Sequence, residues 1–299
     1  VVFASPASFY WVSTIYSFMY TMLFGFKIIT TNQLFSPEHY MDLIERHQVT
    51  FTNAYPMIFQ QIKMSKSFRP LPSVRYLIIG GSPITENFVE KIPSLYPNAI
   101  IRSCYAATEC DFVTLKYKNS TNKVNSGCVM PNIQVKIIDS DGKHLGPNEN
   151  GEICVRSKEM FAGYYNSPVS IIEVIKDGWY YTDDNGYFDD EGFLTIVDRK
   201  VNLIRYFGVN FSPLEIEEVI DKMEEVVASA VVPVTELGVD YIYAFVIKKP
   251  DSELKSEDVV EFVNSRVSDY KHLRGGVIFI EKFPLTPSGK VKKRELRLI

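Results

Sequence analysis

Between Phe26 and Cys104 short apolar runs alternate with helical patterns, and this alternation restricts the fold more than any other feature. The segments FKIIT, VTFTN, VRYLIIG and AIIRSC are rich in β-branched and aromatic residues, which suit a buried pleated surface, so they read as strands. Between them SPEHYMDLIERH opens on Ser36 and Pro37, a usual helix start, and TENFVEKIPSLY supplies a second helix. Strands that alternate with helices pack as a parallel sheet with helices on its faces, an α/β architecture. Ligands of such sheets sit beyond the carboxyl ends of the strands. Two segments fall there: Gly80-Gly81-Ser82-Pro83, and Tyr105 to Glu109.

From about Val124 to Val197 the pattern changes to short strands, IQVKIID, GEICVRS and GFLTIVD, with DSDGK and DDEG as turn chemistry between strands. This predicts a small antiparallel barrel or sandwich. After DRK, at 198–200, something new begins. Ser212-Pro213-Leu214-Glu215 combines a capping box with proline at the first helical position, which starts a helix. VASAVVPV, YIYAFVIKK and GVIFIEK then supply the strands of a compact α+β unit over 201–299.

Composition narrows the function classes. A length of 299 residues, 46% of them hydrophobic, supports at least one large core and has room for two units. The net charge of −4 gives no general reason to expect nucleic acid or an anionic membrane as partner. Cys104, Cys110, Cys128 and Cys154 show no two-residue spacing, which fits reduced intracellular thiols, and the four histidines are scattered and suggest no metal site. The first 26 residues carry no charge. Serine, threonine and tyrosine recur through SFYWVSTIYSFMYT and no basic flank precedes it, so a helix buried inside a domain is expected rather than a membrane span or a signal peptide. The abrupt apolar start at Val1 predicts a missing N-terminal part.

YAATE, TDD at 182–184 and SGK are weak one at a time, since each is also an ordinary strand end, turn or loop. Their order is informative. IIGGSPIT, CYAATE, SGCVMPNIQVKIID with GEICVRSKEMFAGYYNSP, DGWYYTDDNGYFDDEGFLTIVDR, RYFGVNFSPLEIE and LTPSGKVKKREL form six blocks. In that order they resemble the adenylate-forming superfamily of acyl-CoA synthetases, 4-coumarate–CoA ligases and firefly-type luciferases, along essentially the whole chain.

The resemblance implies the second α/β subdomain of the AMP-binding N-terminal domain over 1–123, a β-barrel subdomain over 124–197, a hinge at 198–200 pivoting on Asp198, and a C-terminal domain over 201–299. It implies an ATP-dependent acid–CoA ligase that makes an acyl-adenylate and then an acyl-CoA thioester, with ATP, Mg²⁺ and CoA as cofactors or co-substrates. Adenylation brings two anions together, so cationic groups must stand at the reacting carboxylate and phosphate. By resemblance Lys290 is that cation, with Arg205 as a further positive group where many relatives have lysine. Glu109 holds Mg²⁺, Thr108 bonds the phosphate, and Asp184 accepts the ribose hydroxyls. Tyr105 and the turn Gly80, Gly81, Ser82, Pro83 flank adenine, Ile196 packs nearby, Arg199 reaches the ribose, and the face around Gly208 serves CoA. For Lys292, Lys293 and Arg294 the expectation is a solvated helix face.

Departures from the pattern set the alternatives. The family's phosphate loop is expected before Val1, so the chain by itself is expected to be inactive. Asp183 replaces the glycine of Thr-Gly-Asp, which keeps a catalytically inactive homologue open. SFYWVST lacks the histidine found beside the acyl pocket of luciferases, and Phe112 is bulky there, which argues against luciferase-like monooxygenase activity. If Phe9, Tyr10, Trp11 and Phe112 line the acyl tunnel, a fatty or other apolar acid is expected. Relatives are often peroxisomal or cytosolic, and RELRLI is no peroxisomal address.

Overall fold

The computed structural model describes residues 1–299 apart from 119, 121, 167–173, 207–208, 237–238, 287–290 and 299. The chain divides into two units, Val1–Lys200 and Val201–Ile299. In the first, β1 (Val2–Ala4), α1 (Val12–Phe24), β2 (Lys27–Ile29), α2 (Pro37–Arg46), β3 (Phe51–Ala54), α3 (Pro56–Met64), β4 (Tyr76–Ile79) and α4 (Glu86–Lys91) lead to β5 (Ile100–Ala107), β6 (Asp111–Leu115) and β7 (Cys128–Val129). The strands run in the order β2-β1-β3-β4-β5-β6-β7. Neighbours from β2 to β5 are parallel, as the strand–helix alternation requires, and β6 and β7 are antiparallel.

Local chemistry explains the helix starts. Ser36 accepts the His39 amide at 3.2 Å and Thr85 accepts that of Phe88 at 3.2 Å, each satisfying a donor the helix leaves open. Met41, Ile44, Ile62, Leu77 and Ile79 are buried in one core between helices and sheet, each contributing about 1.5–3 kcal/mol by leaving water. The helix expected across TENFVEKIPSLY ends as α4 at Lys91 and continues as a tighter turn over Ile92–Ser94, because Pro93 has no amide hydrogen to extend the ladder.

A second, antiparallel sheet contains β8 (Ile133–Ile138), β9 (Gly151–Ser157), β10 (Ile175–Lys176), β11 (Trp179–Phe188) and β12 (Leu194–Arg199), in the order β10-β11-β9-β8 with β12 paired to β11. Its two aspartate turns work alike. Asp139 Oδ1 accepts the amides of Asp141 and Lys143, each at 2.9 Å. Asp189 Oδ1 accepts those of Glu191 at 3.1 Å and Phe193 at 2.8 Å.

The second unit contains β13 (Ile204–Tyr206), β14 (Val209–Phe211), α5 (Leu214–Ile220), β15 (Val226–Glu236), β16 (Val239–Lys248), α6 (Ser256–Asn264), β17 (Gly276–Phe279) and α7 (Lys293–Leu296). β15 and β16 are antiparallel, β17 joins β16 in parallel, and Ile216, Ile220, Val231, Ile242, Val259 and Val263 are buried beneath the helices. The Ser212 amide donates to Glu215 Oε1 at 3.2 Å, one arm of the expected capping box.

Two expectations are corrected. α1 is not a buried helix: its buried residues are Thr14 and Thr21, whose hydroxyls are satisfied by nearby carbonyls, while Ile15, Met19, Met22, Leu23 and Phe24 are exposed. Among the described residues no helix is long and apolar enough to cross a membrane. Lys293 is not on a solvated face, because its ammonium pairs with Glu217 at 2.6 Å.

Candidate active site

Gly80 and Gly81 follow β4, whose last residue Ile79 lies beside Ser103 of β5. A Cβ on Gly80 would stand 2.9 Å from both the carbonyl oxygen and Sγ of Cys104, so only glycine lets the turn close over β5. Gly81 has φ +82°, and a Cβ there would also meet the Tyr55 ring at 3.0 Å. The turn thus rests on a tyrosine whose own hydroxyl bonds Ser13 Oγ at 3.1 Å. Ser82 is exposed and Pro83 half-buried.

β5 and β6 form a hairpin whose last pair is Ala107 with Asp111, leaving Thr108, Glu109 and Cys110 as its turn. Asp111 takes the left-handed position of the turn at φ 59°. Thr108 is exposed, Glu109 half-buried and Cys110 buried. The hydroxyl of Tyr164 donates to Glu109 Oε1 at 2.5 Å, and the Phe161 amide donates to the Glu109 carbonyl at 3.0 Å. Phe161 packs edge-on against Tyr164 at 4.9 Å and Tyr180 at 6.3 Å, so the carboxylate stands among three aromatic rings. Burial, and next the Glu109 carboxylate, push the Tyr164 hydroxyl up to about 12. Burial and then the charge of Glu109 raise Tyr180 as well.

Asp184 is positioned by an irregularity in β11, whose register with β9 shifts between Tyr181 and Asn185. Asp183 bends the strand there in the left-handed region at φ 59°, and the Thr182 hydroxyl holds the bend by donating to the Ile153 carbonyl at 2.8 Å while accepting the Asp184 amide at 3.1 Å. A bulge of this kind re-aims a side chain. Asp184 Oδ2 accepts the Tyr105 hydroxyl at 2.6 Å, and its cross-strand neighbour Arg199 brings Nε to 3.3 Å from Oδ1. Burial first, then Asp184, raises Tyr105 well above an ordinary tyrosine.

Tyr105, Asp184 and Arg199 are therefore in direct contact, and Tyr105, Thr108 and Glu109 share one hairpin. Ile196 packs against the same core cluster as Tyr105. Asp198 is buried in β12, opposite Asn185, and its Oδ1 accepts the Arg199 amide at 2.7 Å. In the second unit Arg205 is exposed on β13 opposite Asn210. Gly208 and Lys290 lie outside the described residues. Tyr55, Tyr164, Tyr180 and Thr182 had no role assigned from sequence. Tyr164 was within reach of such reasoning, since FAGYYNSP belongs to a matched block, whereas Tyr55 has no local pattern to mark it.

Two carboxylates flanked by tyrosine hydroxyls, with an arginine beside one of them, make a polar wall able to accept hydroxyl groups and to attract a cation. Among the described residues no group of three or more histidines, cysteines or carboxylates could cage a metal. A single half-buried carboxylate such as Glu109 fits Mg²⁺ carried on phosphate, since that ion keeps several waters and takes only one or two carboxylates.

Residues 1–165, more than half of the chain, match the AMP-binding enzyme family. The chain belongs to that family. Residues 215–290 further match the AMP-binding enzyme C-terminal domain. This AMP-binding chain is 36% identical over 299 residues to 4-coumarate–CoA ligase 1 of Oryza sativa subsp. japonica, covering 95% of this chain and 53% of the relative. It is 34% identical to 4-coumarate–CoA ligase 1 of Arabidopsis thaliana, again covering 95% and 53%. The chain thus spans about half the length of the curated relatives it matches. Among solved structures, the anthranilate CoA ligase AuaEII in complex with anthranoyl-AMP aligns with a TM-score of 0.89 at 18% identity, over 99% of this chain and 58% of that one. An ATP-bound MatB from Rhodopseudomonas palustris aligns with a TM-score of 0.87 at 24% identity, over 99% and 59%. At these identities the likeness is one of fold.

Proposed function

We propose that this chain serves an ATP-dependent acid–CoA ligase. The acid's carboxylate attacks the α-phosphorus of ATP, pyrophosphate leaves, and the CoA thiol then displaces AMP from the acyl-adenylate. The contact of Tyr105, Asp184 and Arg199 beside the Glu109 hairpin carries this reading, in a chain 36% identical to a 4-coumarate–CoA ligase. Asp184 and Arg199 would receive the ribose, with Tyr105, Ile196 and the turn from Gly80 to Pro83 against adenine. Thr108 would bond phosphate, and Glu109 would hold Mg²⁺, which supplies charge neutralisation at the phosphates. Lys290 and Arg205 would supply the positive charge that adenylation needs.

Residues 1–123 and 124–197 would serve acid and nucleotide, and 201–299 would exchange Lys290 for the face around Gly208 when CoA is used. Residues 198–200 would be the hinge of that exchange. The aromatic residues Phe9, Tyr10, Trp11 and Phe112 favour a fatty or aromatic acid as substrate. The test is acid-dependent ATP–pyrophosphate exchange, followed by CoA thioester formation, using the full reading frame and a panel of fatty and aromatic acids. Exchange with none of them would refute the reading in favour of a catalytically inactive relative, and light from luciferin would point to a monooxygenase.

A further inference from the structure

The stretch after β9, residues 158–166, is fastened to the turn of the β5–β6 hairpin. The Ser157 hydroxyl accepts the Glu159 amide at 3.1 Å, which starts the bend away from the strand. Beyond it the Phe161 amide donates to the Glu109 carbonyl at 3.0 Å, and the Tyr164 hydroxyl donates to Glu109 Oε1 at 2.5 Å. Main chain and side chain of one glutamate are thus both held by the same distant segment. The Phe161 ring, edge-on to Tyr164 at 4.9 Å and to Tyr180 at 6.3 Å, fixes where the phenol stands. Among the described residues no hydrogen bond reaches Glu109 Oε2.

Stability is a small part of what this phenol oxygen supplies. Tyr164 is 41% exposed, so its hydroxyl exchanges a bond to water for one to the carboxylate, a net gain of about 1 kcal/mol. A phenylalanine would keep the contact with Phe161. What the oxygen adds is direction. A free carboxylate can turn about its last bond and offer one oxygen or both, whereas a donor fixed on Oε1 leaves Oε2 as the oxygen to offer. Mg²⁺ suits that arrangement, since it demands near-octahedral geometry and keeps several waters, while Ca²⁺ also accepts both oxygens of one carboxylate. We propose that Tyr164 is a positioning residue for Glu109, presenting it as a one-oxygen ligand and so favouring Mg²⁺ over Ca²⁺. The proposal rests on the ligase reading, in which Glu109 holds Mg²⁺ at the ATP phosphates.

The test measures metal binding without turnover, in the full-length protein with α,β-methylene-ATP as the nucleotide. Mn²⁺ stands in for Mg²⁺, since it takes the same oxygen ligands, and electron paramagnetic resonance reads its binding. Glu109→Gln comes first as the control on the reading itself and should weaken Mn²⁺ binding by at least about tenfold. Tyr164→Phe should weaken it by about tenfold, the lower end of the range for losing the partner of a ligating group. Nucleotide binding by the same variant in EDTA should stay within about twofold of the unsubstituted protein, which certifies its fold. Ca²⁺ competed against Mn²⁺ should lose less affinity than Mn²⁺ does. In pyrophosphate exchange the variant should need about tenfold more Mg²⁺, with the rate recovering as Mg²⁺ is raised. Unchanged Mn²⁺ affinity in Tyr164→Phe beside a weakened Glu109→Gln overturns the positioning role. Equal weakening of nucleotide binding with and without metal overturns it too, and equal loss of Mn²⁺ and Ca²⁺ overturns the selectivity. Glu109→Gln without effect overturns the assignment of Mg²⁺ to Glu109, and an unsubstituted protein that binds no nucleotide overturns the ligase reading instead.

Discussion

Replacing Tyr105 with phenylalanine tests whether the polar wall is held together from β5 or from β12. The Tyr105 hydroxyl stands 2.6 Å and Arg199 Nε 3.3 Å from the Asp184 carboxylate. Tyr105 is buried, and the Asp184 side chain is 13% exposed, whereas that of Arg199 is 63% exposed. A hydrogen bond to a charged, mostly buried acceptor contributes about 1.5–3 kcal/mol. An ion pair whose cation is largely in water contributes about 0–1 kcal/mol. Tyr105→Phe should therefore cost about 2 kcal/mol and Arg199→Gln under about 1 kcal/mol. The chain's two tryptophans, Trp11 and Trp179, both lie in Val1–Lys200, so urea unfolding followed by tryptophan fluorescence reports on that unit alone. With a slope of about 2 kcal/mol per M, Tyr105→Phe should lower the midpoint by about 1 M and Arg199→Gln by less than half of that. An Arg199→Gln shift equal to or larger than that of Tyr105→Phe would refute the ranking by burial.

Gly81→Ala places a side chain at φ +82° and 3.0 Å from Tyr55, so it should cost about 1–2 kcal/mol in the same unfolding experiment. Burial pushes Tyr40 and the Cys104 thiol each up to about 12. Their ordinary values are about 10 and about 8.5, so their contribution is fully present below those values and is lost as pH rises through 12. Stability should fall over that alkaline window, and ultraviolet titration should show a tyrosine that ionises only as the protein unfolds. If the ligase proposal holds, Glu109→Gln in the full-length protein should raise the Mg²⁺ concentration for half-maximal pyrophosphate exchange by at least about tenfold, and chelation of Mg²⁺ should abolish exchange.

Features set by near neighbours in the chain were the legible ones. The Ser36 cap, the aspartate turns at 139 and 189 and the start of α5 each follow from residues within a few positions. Contacts across the chain were not legible. Tyr105 and Asp184 lie 79 positions apart and meet only because β11 shifts register at Asp183. The bond from Tyr164 to Glu109 spans 55 positions and that from Lys293 to Glu217 spans 76, so neither leaves a local pattern. Lys293 was misread for that reason: a lysine in a basic run is usually solvated, and its partner belongs to a helix in a distant part of the sequence. The exposed face of α1 was missed for a different reason. An uncharged helix matches the hydropathy of a buried one, and only the packing distinguishes them.

That helix has a practical consequence for work with the chain. Met19, Met22, Leu23 and Phe24 stand open to solvent on one helix that carries no charged residue. Contiguous apolar surface of this sort adsorbs hydrophobic dyes and column matrices. The folded chain should therefore brighten 8-anilinonaphthalene-1-sulfonate and be retained on phenyl resin while its near-ultraviolet circular dichroism remains that of a packed protein. Dye binding here would report an apolar patch exposed on a packed chain, and would be misleading as a sign of a molten state.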